Sequence, residues 1–257
     1  MDIGGRPLLR ILRAAFEKQH YTALWGMYRN YPDFTGNLKR YITARGEYPY
    51  HIEVRTPIGI MRPVLYGHED LLTVNEIFCR VDYVADEKVN VVVDVGSNIG
   101  ISALYFLTRN RTSRCYLFEP DPRNIEKLRL NLTRFGPRYS LRREAVSNES
   151  GMVRFGIETS GRYGGIEVDT GEYVEVPCLD VNEVLQEILA TEEIIDILKI
   201  DTEGLEVRTV KHIRVDFLKR IRRIYIEASP EEELHPAIFE QLQYGSVCQL
   251  VNKLPGK

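Results

Sequence analysis

Apolar residues in this chain keep two different rhythms, and the change falls near residue 90. Val91–Val95 is an almost continuous β-branched run, the pattern of a strand buried on both faces. Beyond it, runs of strand length alternate with stretches of helical spacing. The predicted strands are Val91–Val95, Cys115–Glu119, Leu141–Ser147, Val153–Ile157, Tyr173–Pro177, Ile194–Ile200, Arg223–Ala228 and Val247–Val251. The predicted helices are Ile99–Leu107, Pro122–Phe135, Val181–Ala190 capped by Asp180, Glu203–His212 and Glu231–Gln243. Such alternation predicts right-handed βαβ units and an α/β fold, Rossmann-like, with a doubly wound, mostly parallel sheet.

The residues before this rhythm read differently. Leu8, Leu9, Ile11, Leu12, Ala15 and Phe16 fall at helical spacing, so residues 7–18 are expected to form a short amphipathic helix. Partial alternation around Pro57 and Gly59 predicts a hairpin, His51–Thr56 with Ile60–Tyr66. Asp70 is expected to cap a helix over Leu71–Cys79. The chain therefore divides into a helical and hairpin extension, residues 1–85, and an α/β domain, residues 86–257.

Composition narrows the function classes. Among 257 residues, 44% hydrophobic and 10% aromatic content excludes disorder as the dominant state. A net charge of −3 argues against general nucleic-acid binding. No apolar stretch approaches the ~20 residues of a transmembrane helix, and no signal peptide opens the sequence. Cys79, Cys115, Cys178 and Cys248 are scattered, so they read as reduced, buried thiols of a cytoplasmic protein. The charge is unevenly spread. Residues 1–45 hold eight Lys/Arg against three acids, or +5, which leaves −8 for the rest. A basic amphipathic helix can lie on a membrane, but helices of this kind more often pack on their own domain or form a homo-oligomer, so membrane association is not expected.

In a doubly wound sheet, ligands bind beyond the carboxyl ends of the strands. The first strand is followed by Asp94-Val95-Gly96-Ser97-Asn98-Ile99-Gly100. Gly96 lets the backbone turn sharply, and Gly100 lets the following helix pack tightly on the strand. The second and third glycines of the G-x-G-x-x-G dinucleotide fingerprint are missing, and an acid leads the loop. That suits an ammonium-bearing ligand better than a pyrophosphate. The second strand ends in Glu119-Pro120, where a carboxylate commonly holds a ribose diol; Asp121-Pro122 also reads as a helix cap. Together these features point to a nucleoside with a zwitterionic amino-acid tail, as in S-adenosylmethionine.

Val-Asp94-Val-Gly96-Ser-Asn98-Ile-Gly100, Phe118-Glu119-Pro120 and Leu198-Lys199-Ile200-Asp201-Thr202-Glu203-Gly204-Leu205-Glu206 resemble the FkbM-type methyltransferases, class I S-adenosylmethionine-dependent enzymes. The resemblance runs from about Thr56 to Tyr244. It implies O-methylation of a hydroxyl on a sugar, glycosylated natural product or glycan. It also implies that Asp94, Gly96, Ser97, Asn98 and Gly100 hold the methionine end, Glu119 and Pro120 the ribose, and Glu144, Ala145 and Val146 the adenine.

Asp201 and Glu203 follow the fourth strand of the expected order and Glu227 ends the fifth, so three carboxylates are expected to converge. One could serve as general base, with Asp201 first, or the set could bind a divalent cation such as Mg²⁺; the metal-free base is favoured. Glu203 could equally be a first-turn acid of its helix. Lys199 shares a strand face with Asp201 and reads chiefly as a carboxylate partner, with catalysis as the sharper alternative. His235 is expected in a loop over the pocket, as base or as plain surface residue. Arg162 and Tyr163 in a glycine-flanked loop are candidate substrate contacts, and the family resemblance adds Asp70, Glu76 and Tyr83 in the segment before the α/β domain, which it implies could lid the site. The competing functions are an NAD-dependent oxidoreductase and a non-catalytic nucleoside-binding domain. A usual class I sheet closes with an antiparallel seventh strand; here either that strand is missing or the strand count is off by one near residue 222.

Overall fold

The structure, a computed structural model, describes residues 2–3, 6–7, 18–158, 164–166 and 168–253. The helix expected over residues 7–18 lies almost wholly outside them, as do Arg162 and Tyr163. The chain forms two compact units, Met1–Val84 and Ala85–Lys257.

In the first unit, short strands β1 (Asp2–Ile3) and β2 (Arg6–Pro7) pair antiparallel. Helix α1 (Lys18–Asn30) is followed by α2 (Phe34–Thr43), which Asp33 caps by accepting the Gly36 N–H at 2.9 Å. Strands β3 (Tyr50–His51) and β6 (Val64–Leu65) pair antiparallel around the tight hairpin of β4 (Val54–Thr56) and β5 (Gly59–Met61). Helix α3 (His68–Val74) widens into a π turn over Asn75–Arg80. Asp70 is the third residue of α3 rather than its cap. From there its carboxylate reaches back to the N–H groups of Tyr66 and Gly67 at 2.6 and 3.0 Å.

The second unit carries a seven-stranded sheet. Its strands are β7 (Val91–Val95), β8 (Arg114–Phe118), β9 (Tyr139–Arg142), β13 (Ile197–Ile200), β14 (Arg223–Ile226), β15 (Phe239–Tyr244) and β16 (Val247–Asn252). They lie in the order β15-β16-β14-β13-β7-β8-β9. All neighbours are parallel except β16, which runs antiparallel to both β14 and β15. Every residue of β7 is buried, the carboxylate of Asp94 among four valines included. Helices α4 (Ile101–Leu107), α5 (Pro122–Asn131), α6 (Val181–Leu189), α7 (Glu206–His212) and α8 (Val215–Leu218) complete the unit. A smaller sheet joins β10 (Ala145–Ser147), β11 (Gly151–Gly156) and β12 (Tyr173–Asp180), with β12 at its centre.

Two expectations are corrected here. The single strand Leu141–Ser147 is two: the chain leaves the main sheet after Arg142, and Ala145–Ser147 pairs with β12 instead. The helix expected over Glu231–Gln243 is absent, and its end forms β15. Pro236 removes an N–H in mid-helix, and His235 takes a left-handed φ of 48°. Phe239–Tyr244 then pairs with Val247–Asn252 across a two-residue Gly245-Ser246 turn. The seventh strand is therefore present, and the miscount lay at Phe239 rather than near residue 222.

Candidate active site

Strand β7 ends in a turn that leaves no room for a side chain. Gly96 has φ +77°, and a Cβ there would stand 2.0 Å from the Asp201 carbonyl oxygen at the end of neighbouring β13. The N–H groups of Gly96 and Ser97 donate to the Phe118 carbonyl at 2.9 and 3.1 Å, so the turn folds over the end of β8. Asn98 is left-handed at φ 47° and donates its N–H to Glu119 Oε2 at 2.7 Å. Gly100, with φ +85°, faces Leu128 of α5 and Leu132 just past its end, whose Cγ atoms a Cβ would approach to 3.0 and 3.4 Å. Its smallness therefore serves helix–helix packing rather than the helix–strand contact expected from sequence.

Glu119 is 4% exposed and lines a cleft at this edge of the sheet. Its Oε1 accepts the Asp121 N–H at 2.9 Å, so one carboxylate joins the glycine turn to the start of α5. Burial pushes its pKa up to about 7, against the opposing pull of the two N–H donors. Asp121 caps α5 with Pro122 in the first turn, as expected. Pro120, Glu144, Ala145 and Val146 also line the cleft. Glu144 is held by Arg142 Nε at 2.5 Å, and Arg142 bonds Glu187 at 2.8 Å on its other side.

Asp94 does not line the cleft. It is fully buried, where its Oδ2 accepts the Ser102 hydroxyl at 2.6 Å and its Oδ1 lies 3.1 Å from Lys199 Nζ. Burial raises its pKa, with the Lys199 ammonium opposing the shift. Ser97 is buried as well and donates its hydroxyl to the Asp94 carbonyl at 2.8 Å. Lys199 pairs with Asp94 in register across β13 and β7. Its ammonium also reaches Asp201 Oδ2 at 3.2 Å and the Gly96 carbonyl at 2.9 Å. A lysine buried to 3% exposure is thus satisfied by two carboxylates and a carbonyl, the partner role that its strand position suggests.

Beyond Asp201 the chain makes a left-handed turn, with φ 55° at Glu203 and 111° at Gly204. Glu206, the first residue of α7, holds this turn from behind. Its buried carboxylate accepts the N–H groups of Thr202 at 2.8 Å and Gly204 at 3.0 Å. Gly165 lies against the opposite side: a Cβ there would meet Glu203 Cβ at 3.1 Å and the Thr202 carbonyl at 3.2 Å. Glu206 belongs to the quoted Asp-Thr-Glu-Gly-Leu-Glu string but carries no role in the sequence reading. Its signal was an acid three residues past the strand-end pair, at the N-terminus of a helix.

Asp201, Thr202 and Glu203 line the cleft with Gly96, Asn98 and Glu119. The expected convergence of three carboxylates does not occur. Glu227 is exposed, outside the lining, and accepts the Ser246 hydroxyl at 3.2 Å in the β15–β16 turn. The interposed antiparallel β16 draws that strand end toward the hairpin. His235 is not part of the lining either; its Nε2 lies 3.1 Å from the Val210 carbonyl of α7, so the loop packs on a helix. Asp70, Glu76 and Tyr83 belong to the first unit, where Glu76 pairs with Arg80 at 3.7 Å and Tyr83 is buried.

The cleft encloses about 640 Å³ including its open mouth. Phe118, Val146, Phe155 and Ile166 supply apolar wall, while Glu119, Asp121, Glu144, Glu158, Asp201 and Glu203 supply acid. No Lys or Arg lines it among the described residues. Nor is any group of three or more His, Cys, Asp or Glu there arranged to hold a metal ion. All four cysteines are buried free thiols. No described helix is long and apolar enough to cross a membrane.

The family model for the methyltransferase FkbM domain matches residues 94–248, more than half of the chain and every strand end of this cleft. The chain belongs to that family. The order of the seven strands, with one antiparallel strand between β14 and β15, is the Rossmann-like class I methyltransferase sheet. Among solved structures, methyltransferase FkbM from Methylobacillus flagellatus KT is 14% identical, with 98% of this chain and 62% of that one covered at a TM-score of 0.48. This chain thus spans less than two thirds of that FkbM protein. A methyltransferase from Geobacter sulfurreducens is 16% identical, with 65% and 72% covered at a TM-score of 0.37. An RNA methyltransferase from Salinibacter ruber, in complex with S-adenosyl-L-homocysteine, is 13% identical, with 72% and 94% covered at 0.36. No curated protein matches the chain.

Proposed function

We propose that this FkbM-family protein transfers the methyl group of S-adenosylmethionine to a hydroxyl oxygen of a sugar, on a glycosylated natural product or a glycan. The observation that carries the reading is the acidic lining of the cleft: six carboxylates and no Lys or Arg among the described residues. Asp121, Glu144 and Asp201 are paired from behind by Arg123, Arg142 and Lys199, with Glu158 and Glu203 beside them. A pyrophosphate would meet repulsion there, whereas a ligand with a sulfonium and an ammonium meets attraction. Glu119 offers a carboxylate to a ribose diol, and Phe118, Val146 and Phe155 offer apolar wall to a purine beside Glu144. The acidic and apolar lining suits the charge and polarity of S-adenosylmethionine.

When bound, S-adenosylmethionine supplies an electrophilic methyl group on a positively charged sulfur. The chain's own work is to hold an acceptor oxygen in line and to take its proton. Asp201 suits the second task because it lines the cleft, and Lys199 fixes its carboxylate at 3.2 Å. Glu203 stands beside it on the clamped turn. Arg162 and Tyr163 remain proposed acceptor contacts from their glycine-flanked loop, and Asp70, Glu76 and Tyr83 on the family resemblance.

Calorimetry with S-adenosylhomocysteine and with NAD tests the cofactor; tight binding of NAD alone would end the methyltransferase reading. Incubation with S-adenosylmethionine and a panel of sugars, read by mass spectrometry, tests the acceptor. Methylation confined to nitrogen or carbon acceptors would remove the O-methyl assignment. Turnover lost on chelation would replace the metal-free base by a bound cation.

A further inference from the structure

Helix α1 shows solvent an aromatic stripe that methyl transfer in the second unit does not use. Tyr21, Leu24, Trp25 and Tyr28 stand at positions i, i+3, i+4 and i+7 of one helix, and are 61%, 43%, 61% and 60% exposed. The opposite face anchors the helix. Met27 and Tyr31 are buried, Tyr31 donates to Asn75 Oδ1 at 2.7 Å, and a Cβ on Gly26 would fall 2.1 Å from the Cys79 carbonyl oxygen. The helix cannot roll to hide the stripe without driving side chains into the backbone of the π turn. Exposed apolar area fixed in this way marks a surface that meets a partner.

We propose that this stripe docks the chain onto an anionic lipid surface. Charge decides among the partners. Residues 18–45, which include the stripe, hold Lys18, Arg29, Lys39, Arg40 and Arg45 against Asp33, or +4, while the other 229 residues carry −7, so this stretch is the basic part of an acidic chain. Pairing two copies through the stripe would bring the +4 of residues 18–45 against the same charge. A neutral glycan would leave that charge unused. A single-stranded nucleic acid wants open ring faces for its bases. Here the rings lie on each other: Trp25 stacks on Tyr28 at 5.7 Å, and Tyr28 meets Phe34 edge-on at 5.6 Å. Tyrosine and tryptophan beside basic residues are the side chains that settle at a headgroup boundary, with ring buried and polar tip wet. Arg29 and Lys39 are exposed within the same unit and supply attraction to anionic headgroups. Residues 7–18 alone do not favour a membrane role; the stripe at 21–28 lies beyond them and tips the balance.

Trp25 is the single tryptophan of the sequence, so intrinsic fluorescence reports on the stripe directly. Titrating the full chain with phosphatidylglycerol-containing vesicles should shift emission to the blue, and phosphatidylcholine vesicles should not. Raising salt from low to molar concentration should weaken the partition about tenfold or more. The double variant Leu24→Ser/Tyr28→Ser should lose about tenfold in partition with unchanged circular dichroism and unchanged S-adenosylhomocysteine binding. Should that variant misfold, Arg29→Glu/Lys39→Glu supplies the same loss through charge. An equal shift with neutral vesicles, or none with either, would overturn the proposal. So would a shift that follows protein concentration with a doubled mass in light scattering, or one produced only by an RNA oligomer or an oligosaccharide.

Discussion

At the end of β8 one carboxylate does two jobs: Glu119 faces the cleft and ties the glycine turn to α5 through the N–H groups of Asn98 and Asp121. At the end of β13 those jobs fall to different residues. Asp201 and Glu203 face the cleft, while Lys199 and Glu206 hold the backbone and carboxylate behind them. The contrast follows from depth. Glu119 is almost inaccessible, so its oxygens must find donors among its own neighbours, and the nearest are backbone amides. Asp201 keeps 27% of its side chain exposed and can leave part of its solvation to water. Substitution on the first rim should therefore move binding and stability together. On the second, turnover should separate from both.

The largest expected effect lies where the two rims touch. Lys199→Met leaves Asp94 fully buried without its cation and should cost about 3–5 kcal/mol in urea denaturation, because an uncompensated buried charge is left behind. Retained stability would show that the lysine is dispensable to the junction. Gly96→Ala should follow at about 2–4 kcal/mol, from left-handed strain plus the clash with the Asp201 carbonyl. Glu119→Ala should weaken S-adenosylhomocysteine binding by about 1–3 kcal/mol in calorimetry and lower the melting temperature as well. Unchanged affinity would mean that the ribose sits elsewhere.

Glu206→Gln keeps an acceptor oxygen but loses the charge that grips Thr202 and Gly204. Turnover should fall about tenfold, with cofactor affinity and melting temperature nearly unchanged. Equal losses of all three would erase the division of labour. The smallest effect is in pH. If the ionised Glu119 holds the diol, affinity should fall about fivefold between pH 7 and pH 6, as the carboxyl with a pKa of about 7 takes up its proton. The stability contribution of this group runs the other way. A carboxyl raised above its ordinary value favours the folded state most at pH below about 4.5, and loses that contribution as pH rises through about 7. Glu119→Gln should flatten both profiles.

The sheet, its strands β7, β8, β13, β14 and β16, and the glycine turn after β7 were legible in the residues, because β-branched runs and a glycine turn are local signals. So was the pairing of Lys199 with a carboxylate, since residues two apart on a strand share a face and a buried ammonium needs a partner. The helix over Glu231–Gln243 was misread despite Pro236 in its middle and Gly245-Ser246 beyond it, both of which mark a break and a hairpin.

Local pattern thus determined the central parallel strands of a class I sheet and which acids stand at their ends. Only the tertiary structure decided that Asp94 lies behind the cleft rather than in it, that β16 inserts beside β14 and leaves Glu227 at the hairpin, and that Glu206 grips the turn bearing Glu203. Spacing along a chain tells which residues share an element. Which carboxylate reaches a ligand and which reaches a backbone amide depends on the depth at which neighbouring strand ends meet, and that is set by packing between segments distant in sequence.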